Sequence, residues 1–173
     1  MARNVEIKAR IASIEALQPQ VAALADRGPE PIEQDDTFFH CAHGRLKLRR
    51  FADGRGELIA YQRPNQAGPT ASTYLITPTT APDALHATLA MALGEAGRVH
   101  KHRLVYLAGT TRLHLDRVES LGDFLEIEVV LTAQQSPEQG TRIARALLSQ
   151  LNICNSQLLA GAYIDLLPNP QTP

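Results

Sequence analysis

Charged side chains recur at every second residue in several segments of the chain. Near the N-terminus, Glu6 and Lys8 alternate with apolar residues, and Glu126 and Glu128 do the same much later in the sequence. A two-residue period is typical of β-strands that have one apolar and one polar face. Two carboxylates at this spacing point to the same side of a strand, within reach of one divalent cation. These strands could therefore contribute metal ligands.

Basic residues follow the same pattern, and on five charged strands they outnumber the acidic residues by eight to four. The cations are Lys8, Arg10, Arg45, Lys47, Arg49, Lys101, Arg103 and Arg112, and the carboxylates are Glu6, Asp116, Glu126 and Glu128. Like charges that face each other across a sheet are destabilising. A solvated outer face explains any one strand, but five similar strands favour a closed or curled sheet with its charged faces inside. Such an interior would suit a polyphosphate, which Arg and Lys bind well.

The elements around these strands indicate an α+β fold. Helical patterns cover residues 13–25, 82–93 and 136–153, and Pro19 is expected to kink or split the first helix. The segment RGPEP at residues 27–31 is predicted to be a loop. About eight strands make up most of the rest. Because the helices do not alternate regularly with them, we expect an antiparallel sheet with helices packed outside it.

The composition is that of an ordinary globular domain. Of 173 residues, 44% are hydrophobic and 20% are charged, and the formal net charge is −1. This balance gives no basis for binding nucleic acid or an anionic membrane. Cys41 and Cys154 do not form the pattern of a disulfide framework. We therefore expect one cytoplasmic domain at residues 1–167, as a monomer or homodimer, with a C-terminal tail at residues 168–173.

Several of these segments resemble one known family. The sequence Asn-x-Glu-x-Lys at residues 4–8 resembles the ExExK signature of the CYTH superfamily, the triphosphate tunnel metalloenzymes. The resemblance continues in order through LKLR, KHR, HLD and FLEIE, as far as residue 131. The segments YQRPNQAGP and TRLHLDRVESLGDFLEIEV are most similar to the bacterial class IV adenylyl cyclase branch. The resemblance implies a closed antiparallel β-barrel that forms a tunnel for a triphosphate and for Mg²⁺ or Mn²⁺.

The resemblance also implies roles for individual residues. The triphosphate ligands implied by the family are Lys8, Lys47, Arg49, Lys101 and Arg103, to which strand phase adds Arg45 and Arg112. The acidic, metal-linked positions are Glu6, Asp116, Glu126 and Glu128. The candidates for a catalytic role are Lys8, Arg103 and His114. His114 is expected either to transfer a proton or to support the site as a polar neighbour.

Two positions depart from the family pattern. Asn4 replaces the first acid of ExExK, and an amide oxygen can coordinate a hard cation but brings no charge. Gln62 and Arg63 stand where the family often has a Lys before a Pro, and Arg63 can replace that Lys only if it turns inward. Tyr163 and Asp165 either cap a C-terminal helix or close the tunnel mouth.

The expected activity is the conversion of ATP to cyclic AMP and pyrophosphate, as in class IV adenylyl cyclases. Hydrolysis of an inorganic or organic triphosphate is the alternative reaction. A binder of nucleotide or polyphosphate without catalytic activity is the alternative of another class, and Asn4 is the residue in its favour.

Overall fold

The computed structural model describes residues 2–168, and within them the chain forms nine β-strands, three α-helices and two short 3-10 helices. The strands are β1 (Ala2–Arg10), β2 (Arg27–Phe39), β3 (Arg45–Phe51), β4 (Gly56–Gln62), β5 (Thr70–Thr79), β6 (Glu95–Ala108), β7 (Thr111–Val118), β8 (Gly122–Val130) and β9 (Leu158–Leu159). The helices are α1 (Ile14–Leu24), α2 (Pro82–Leu93) and α3 (Pro137–Gln150), with 3-10 helices at Asn155–Gln157 and Tyr163–Leu166. Residue 1 and all but the first residue of the expected tail lie outside the described residues.

Strands β1–β8 form a closed antiparallel barrel. Their order is β5–β4–β3–β2–β6–β7–β8–β1, and β1 also pairs with β5, which closes the sheet. Val5 of β1 thus lies opposite Val129 of β8 on one side and Ala71 of β5 on the other. The short β9 pairs with the end of β1. The α+β barrel expected from the sequence is therefore confirmed.

The barrel is apolar on the outside, where the helices pack. Helix α1 lies against β2, β6 and β7, and α3 lies against β1 and β8. The buried cluster between them contains Val5, Ile7, Leu113, Leu115, Ile127 and Val129 from the strands and Ile14, Leu17, Val21, Ala144 and Leu148 from the helices. Each Å² of apolar surface removed from water stabilises the fold by roughly 25 cal/mol. Because strand side chains alternate, the charged residues between these positions point into the barrel.

The loop expected at residues 27–31 is instead the first part of β2. A register shift here leaves Gly28 and Pro29 outside the ladder with β6, so that the missing N–H of the proline interrupts no strand pairing. Gly28 has a φ of 119°, and a Cβ atom at this position would lie 2.7 Å from the carbonyl oxygen of Val105. The two strands approach each other closely at this irregularity, and only glycine fits there. Because glycine and proline are typical of loops, the sequence alone does not indicate a strand here.

Helix α1 continues through Pro19, so of the two outcomes expected there, a kink or a split, the split does not occur. The Ser13 side chain accepts a hydrogen bond from the backbone N–H of Ala16 at 3.2 Å and caps the helix. Leu17 and Val21, on either side of the proline, are buried in the core cluster. Tertiary packing thus outweighs the local preference of proline to end a helix.

Candidate active site

The interior of the barrel holds a cavity of about 310 Å³ that all eight barrel strands line. Among the described residues, the cations that line it are Lys8, Lys47, Arg49, Arg63, Lys101, Arg103 and Arg112. The carboxylates that line it are Glu6, Asp36, Glu126 and Glu128. The cavity therefore carries an excess of positive charge and suits a polyanion.

Asp36 holds two of the cations on one wall of the cavity. Lys47 Nζ lies 2.6 Å from Asp36 Oδ2, and Arg49 donates two hydrogen bonds to the carboxylate at 2.8 and 2.9 Å. Burial opposes ionisation of Asp36, but Arg49 and Lys47 outweigh it and keep the pKa of this carboxyl far below its ordinary value. A single carboxylate neutralises only one of the two cations, so this wall keeps a net positive charge.

Asp116 holds Arg103 through a bidentate ion pair in which both nitrogen–oxygen distances are 2.6 Å. The hydroxyl of Tyr163 donates a third hydrogen bond to this carboxylate at 2.7 Å, and Lys101 Nζ lies 3.7 Å from it. Burial opposes ionisation here as well, but Arg103 and Lys101 keep the pKa of Asp116 well below its ordinary value. The carboxylate is thus ionised and fully engaged behind the cavity wall.

Glu126 contacts three basic side chains at once. Lys8 Nζ, Arg103 Nη2 and His114 Nδ1 each lie 3.1 Å from its carboxylate oxygens. Burial is again outweighed, chiefly by Lys8 and Arg103, so the pKa of Glu126 is well below its ordinary value. Burial, and then the charge of Arg103, lower the pKa of His114. A neutral His114 that donates its Nδ1–H to Glu126 keeps Nε2 as a proton acceptor.

Lys101 is buried, and its Nζ lies 3.7 Å from the carboxylate of Asp116, farther away than Arg103 does. Burial, and then the neighbouring Arg103, lower its pKa from 10.5 to about 7. This amine is therefore only partly protonated near neutral pH. An anion placed beside it would favour the protonated form.

Oxygen ligands gather where β1 pairs with β8. Glu6 lies directly opposite Glu128 in the register of the two strands. Asn4 Nδ2 donates to Glu128 Oε1 at 2.7 Å, whereas Asn4 Oδ1 is buried without a hydrogen-bond partner among the described residues. Arg63 Nη1 donates to Glu6 Oε1 at 2.8 Å. Burial, and then the nearby Glu126, raise the pKa of Glu6.

These ligands fit Mg²⁺ or Mn²⁺. Both ions prefer oxygen ligands, and the two carboxylates and the unpaired amide oxygen of Asn4 supply them. Directly opposed carboxylates destabilise an antiparallel pair, and a divalent cation between Glu6 and Glu128 would relieve that repulsion. Arg63, at 2.8 Å from Glu6, and the half-exposed Arg112, at 3.3 Å from Glu128 Oε2, already offset part of this repulsion.

An apolar cluster fills one end of the barrel. It consists of the buried residues Phe38, Val99, Val118, Phe124 and Tyr163. The Tyr163 ring lies 4.9 Å from the Phe124 ring between centroids, and Lys8 Nζ is 4.1 Å from the Tyr163 centroid. Of the two roles considered for Tyr163, closing the tunnel is the one that its contacts support. A ligand would then enter from the other end, where Arg112 is exposed.

The sites predicted from the sequence meet in this cavity with two exceptions. The predicted residues that line it are Glu6, Lys8, Lys47, Arg49, Arg63, Lys101, Arg103, Arg112, His114, Glu126 and Glu128. Arg45 instead pairs with Asp165 at 2.9 and 2.7 Å, outside the cavity lining. Asp116 lies behind Arg103. These positions favour an ion-pairing role for Arg45 over triphosphate binding, and a positioning role for Asp116 over metal binding.

The structure also places residues in the cavity that sequence reasoning left open or missed. Arg63 faces inward, whereas Gln62 is exposed. Gln34, Asp36 and Tyr61 line the cavity but were not predicted. Gln34 and Asp36 are two residues apart and therefore share one face of β2. The proline-rich segment before them does not indicate that the strand has already begun. Tyr61 is two residues before Arg63 and points to the same side, so an inward-facing Arg63 implies an inward-facing Tyr61.

A closed antiparallel barrel with a cation-lined interior and a group of carboxylates on one wall defines a tunnel for a polyanion. The family model described as the CYTH domain matches residues 2–163, and the chain belongs to this family. Members of the family generally act on triphosphate compounds and use divalent metal ions. No curated protein matches the sequence. Within the described residues, none of the helices has the length and apolar character needed to cross a membrane.

Solved structures share the fold over nearly the whole chain. The PH1012 protein from Pyrococcus horikoshii OT3 is 24% identical, with a TM-score of 0.84 over 95% of this chain and 99% of that one. A proposed adenylate cyclase from Vibrio parahaemolyticus is 20% identical, with a TM-score of 0.77 over 94% and 96% of the two chains. HpAC1 from Hippeastrum, described as a proposed adenylyl cyclase with a dominant triphosphatase activity, is 17% identical, with a TM-score of 0.63 over 94% and 91%.

Proposed function

We propose that this protein is a metal-dependent enzyme that acts on a triphosphate compound. The observation that carries the proposal is the lining of one cavity by seven cations and four carboxylates, with Glu6, Glu128 and the unpaired Asn4 Oδ1 together on one wall. A structural core would not gather so many charges without a ligand to compensate them. A volume of about 310 Å³ accommodates a phosphate chain, with any organic part towards the open end.

The basic side chains bind and orient the phosphates. Arg49 and Arg103 are preorganised by Asp36 and Asp116, so little side-chain freedom is lost when a phosphate binds them. Lys101 becomes fully protonated beside the anion. Preorganised cations also stabilise the charge that develops during transfer, because they need no reorganisation at that moment.

Glu6, Glu128 and Asn4 Oδ1 would hold the Mg²⁺ or Mn²⁺ ion. When bound, the ion supplies neutralisation of charge on the phosphate oxygens. Arg63 positions Glu6 through its hydrogen bond, and it also donates to the carbonyl oxygen of Gly161. The metal-binding wall is thus tied to the C-terminal segment that carries Tyr163.

Neutral His114 is the candidate proton acceptor. Its pKa is lowered, and Glu126 orients the ring through Nδ1. His114 Nε2 could therefore take the proton of an attacking hydroxyl group or water molecule. Glu126 stabilises the imidazolium that forms, as a carboxylate beside a catalytic histidine does.

The cyclase reaction is the first candidate. Here the 3′-hydroxyl of ATP attacks the α-phosphate and pyrophosphate leaves, and resemblance to the class IV branch supports this reaction. Hydrolysis of the terminal phosphate is the second candidate, supported by the likeness in fold to HpAC1. Both reactions use the same cations and metal ligands and differ in which phosphorus atom faces the nucleophile.

Product analysis by chromatography tests the proposal. Purified protein is incubated with ATP, inorganic triphosphate and thiamine triphosphate, each with Mn²⁺, with Mg²⁺ or with chelator. Cyclic AMP plus pyrophosphate identifies a cyclase, and loss of the terminal phosphate identifies a hydrolase. If no substrate is turned over with either metal but triphosphate binds tightly, the protein is a triphosphate-binding protein without catalytic activity.

The Glu128→Gln substitution tests the metal-binding wall. It keeps the shape of the side chain but removes a charge, so metal-dependent turnover should fall by a factor of at least about 100. Binding of bare triphosphate should survive or become tighter, because an anion near the ligand has been removed. Glu138→Gln, on the exposed surface of α3, is the matched control and should leave both unchanged.

A further inference from the structure

A separate group of potential metal ligands lies on the outside of the barrel. His100 and His102 are two residues apart on β6 and share a face, and Glu33 of β2 lies directly opposite His102. The alternating neighbours Gln34 and Lys101 line the cavity. Because successive strand residues point to opposite faces, the two histidines and Glu33 point away from the tunnel.

The three side chains are already close enough to share one ion. One nitrogen of each histidine and a carboxylate oxygen of Glu33 all lie within 4.8 Å of one another. Glu33 Oε1 is 2.9 Å from His100 Nε2, and the two imidazole centroids are 5.3 Å apart. Side-chain rotations would allow each of these atoms to lie about 2.0–2.2 Å from a zinc ion placed between them. The side chains of Glu33 and His100 are 47% and 26% exposed, so an ion can reach them from solvent.

A further carboxylate is placed to orient one of the ligands. Glu119 Oε2 lies 3.5 Å from His100 Nδ1, on the side of the ring away from Glu33. The backbone N–H of Glu119 also donates to the carbonyl oxygen of His100 at 3.0 Å, which fixes the two residues together. Metal-bound histidines commonly direct their second N–H to a carboxylate in this way.

Nearby cations do not oppose an ion at this place. Arg98 makes two hydrogen bonds to Asp35, at 2.6 and 2.7 Å. Arg117, which lies opposite His102 on β7, pairs with Asp123 and with Glu15. Their charges are therefore compensated by carboxylates of their own.

We propose that Glu33, His100 and His102 form a binding site for a transition-metal ion of the Zn²⁺ type on the outer face of the barrel. Imidazole nitrogen favours Zn²⁺, Ni²⁺ and Cu²⁺ over Mg²⁺ and Mn²⁺, which prefer the oxygen ligands of the cavity. The protein would thus separate two metals by ligand chemistry. Three protein ligands leave one position for water, and the ion would join β2 to β6.

Isothermal titration of chelator-treated protein, prepared without a histidine tag, with ZnCl₂ tests this site. We expect one ion per chain, unaffected by millimolar Mg²⁺, and a rise in melting temperature, because the ion binds the folded state. His102→Ala and Glu33→Gln should each weaken Zn²⁺ binding at least about tenfold. His43→Ala, which removes an exposed histidine elsewhere, is the matched control and should bind as the wild type does.

Several results would overturn the proposal. Wild-type protein that binds Zn²⁺ no more tightly than it binds Mg²⁺ has no such site. Zn²⁺ binding that survives in both variants lies elsewhere, and loss in Glu128→Gln with retention in His102→Ala would place the ion in the tunnel. A cooperative thermal unfolding transition in chelator, at the wild-type melting temperature, verifies that His102→Ala and Glu33→Gln are folded.

Discussion

Arg103 and Asp116 form a buried bidentate ion pair between β6 and β7, with both nitrogen–oxygen distances at 2.6 Å. Asp116 is 0% exposed, and Arg103 also contacts Glu126 at the edge of the cavity. The pair therefore joins the barrel wall to the lining of the cavity. Because Arg103 is held from behind, its remaining N–H groups keep a fixed direction towards the cavity.

Removing the charge of Asp116 should destabilise the protein. In Asp116→Asn, the charge of Arg103 stays buried with less compensation, and breaking such a pair usually costs about 3–5 kcal/mol. Urea denaturation measures the free energy of unfolding. Asp53→Asn, which breaks a surface pair with Arg55, is the control and should change little. Equal stability of Asp116→Asn and wild type would show that the pair is not structural.

Lys101 should take up a proton when triphosphate binds. Its pKa of about 7 in the free protein will rise beside the anion, so at pH 8 binding is accompanied by protonation. Calorimetric titration with tripolyphosphate in two buffers of different ionisation enthalpy measures this uptake. Lys101→Met should abolish that part of the uptake, and identical proton counts in the variant and the wild type would assign it to another group.

The same shift affects stability without ligand. Between pH 7 and 10.5 the unfolded chain keeps a proton on Lys101 that the folded protein has released. The contribution of Lys101 to the free energy of unfolding therefore increases with pH across that window. Below the window Lys101 is charged in the folded protein, and the full cost of burying that charge lowers stability. The difference in unfolding free energy between wild type and Lys101→Met, measured from pH 6.5 to 9, should follow this direction.

Restoring an acid at Asn4 should raise metal affinity and lower stability without metal. In Asn4→Asp, the hydrogen bond from Nδ2 to Glu128 at 2.7 Å is replaced by repulsion between carboxylates. We expect the melting temperature in chelator to fall, and the Mn²⁺ concentration for half-maximal turnover to fall as well. If both quantities stay at wild-type values, Asn4 lies outside the metal-binding wall.

Much of the barrel follows from the period of the sequence. Strands such as β1, β7 and β8 alternate one apolar and one charged residue, so the alternation by itself assigns their two faces. The start of β2 does not alternate in this way, because Gly28 and Pro29 lie at a bulge where β2 comes close to β6. Asp36 escapes prediction for the same reason, although it holds both Lys47 and Arg49.

Strand phase predicts which way a side chain points but not what it meets. Arg45 and Asp116 have the same phase as residues that line the cavity, yet each pairs with a residue of the distant C-terminal segment: Arg45 with Asp165, and Asp116 with Tyr163. Asp116 also pairs with Arg103, which lies directly opposite it on β6. The C-terminal segment that supplies two of these partners has no regular period. Its position depends on tertiary contacts that the sequence does not display.

Tyr163 should support the cavity through both its hydroxyl and its ring. Tyr163→Phe removes the hydrogen bond to Asp116 at 2.7 Å, and a bond to a charged group contributes about 1.5–3 kcal/mol to stability. Tyr163→Leu also removes the ring that packs on Phe124 and faces Lys8, so it should be less stable still and bind tripolyphosphate more weakly. Urea denaturation and calorimetric titration of both variants measure these effects. Equal stability and binding of the two variants would show that the ring contributes nothing beyond the hydroxyl, and that the tunnel end is held by its other apolar residues.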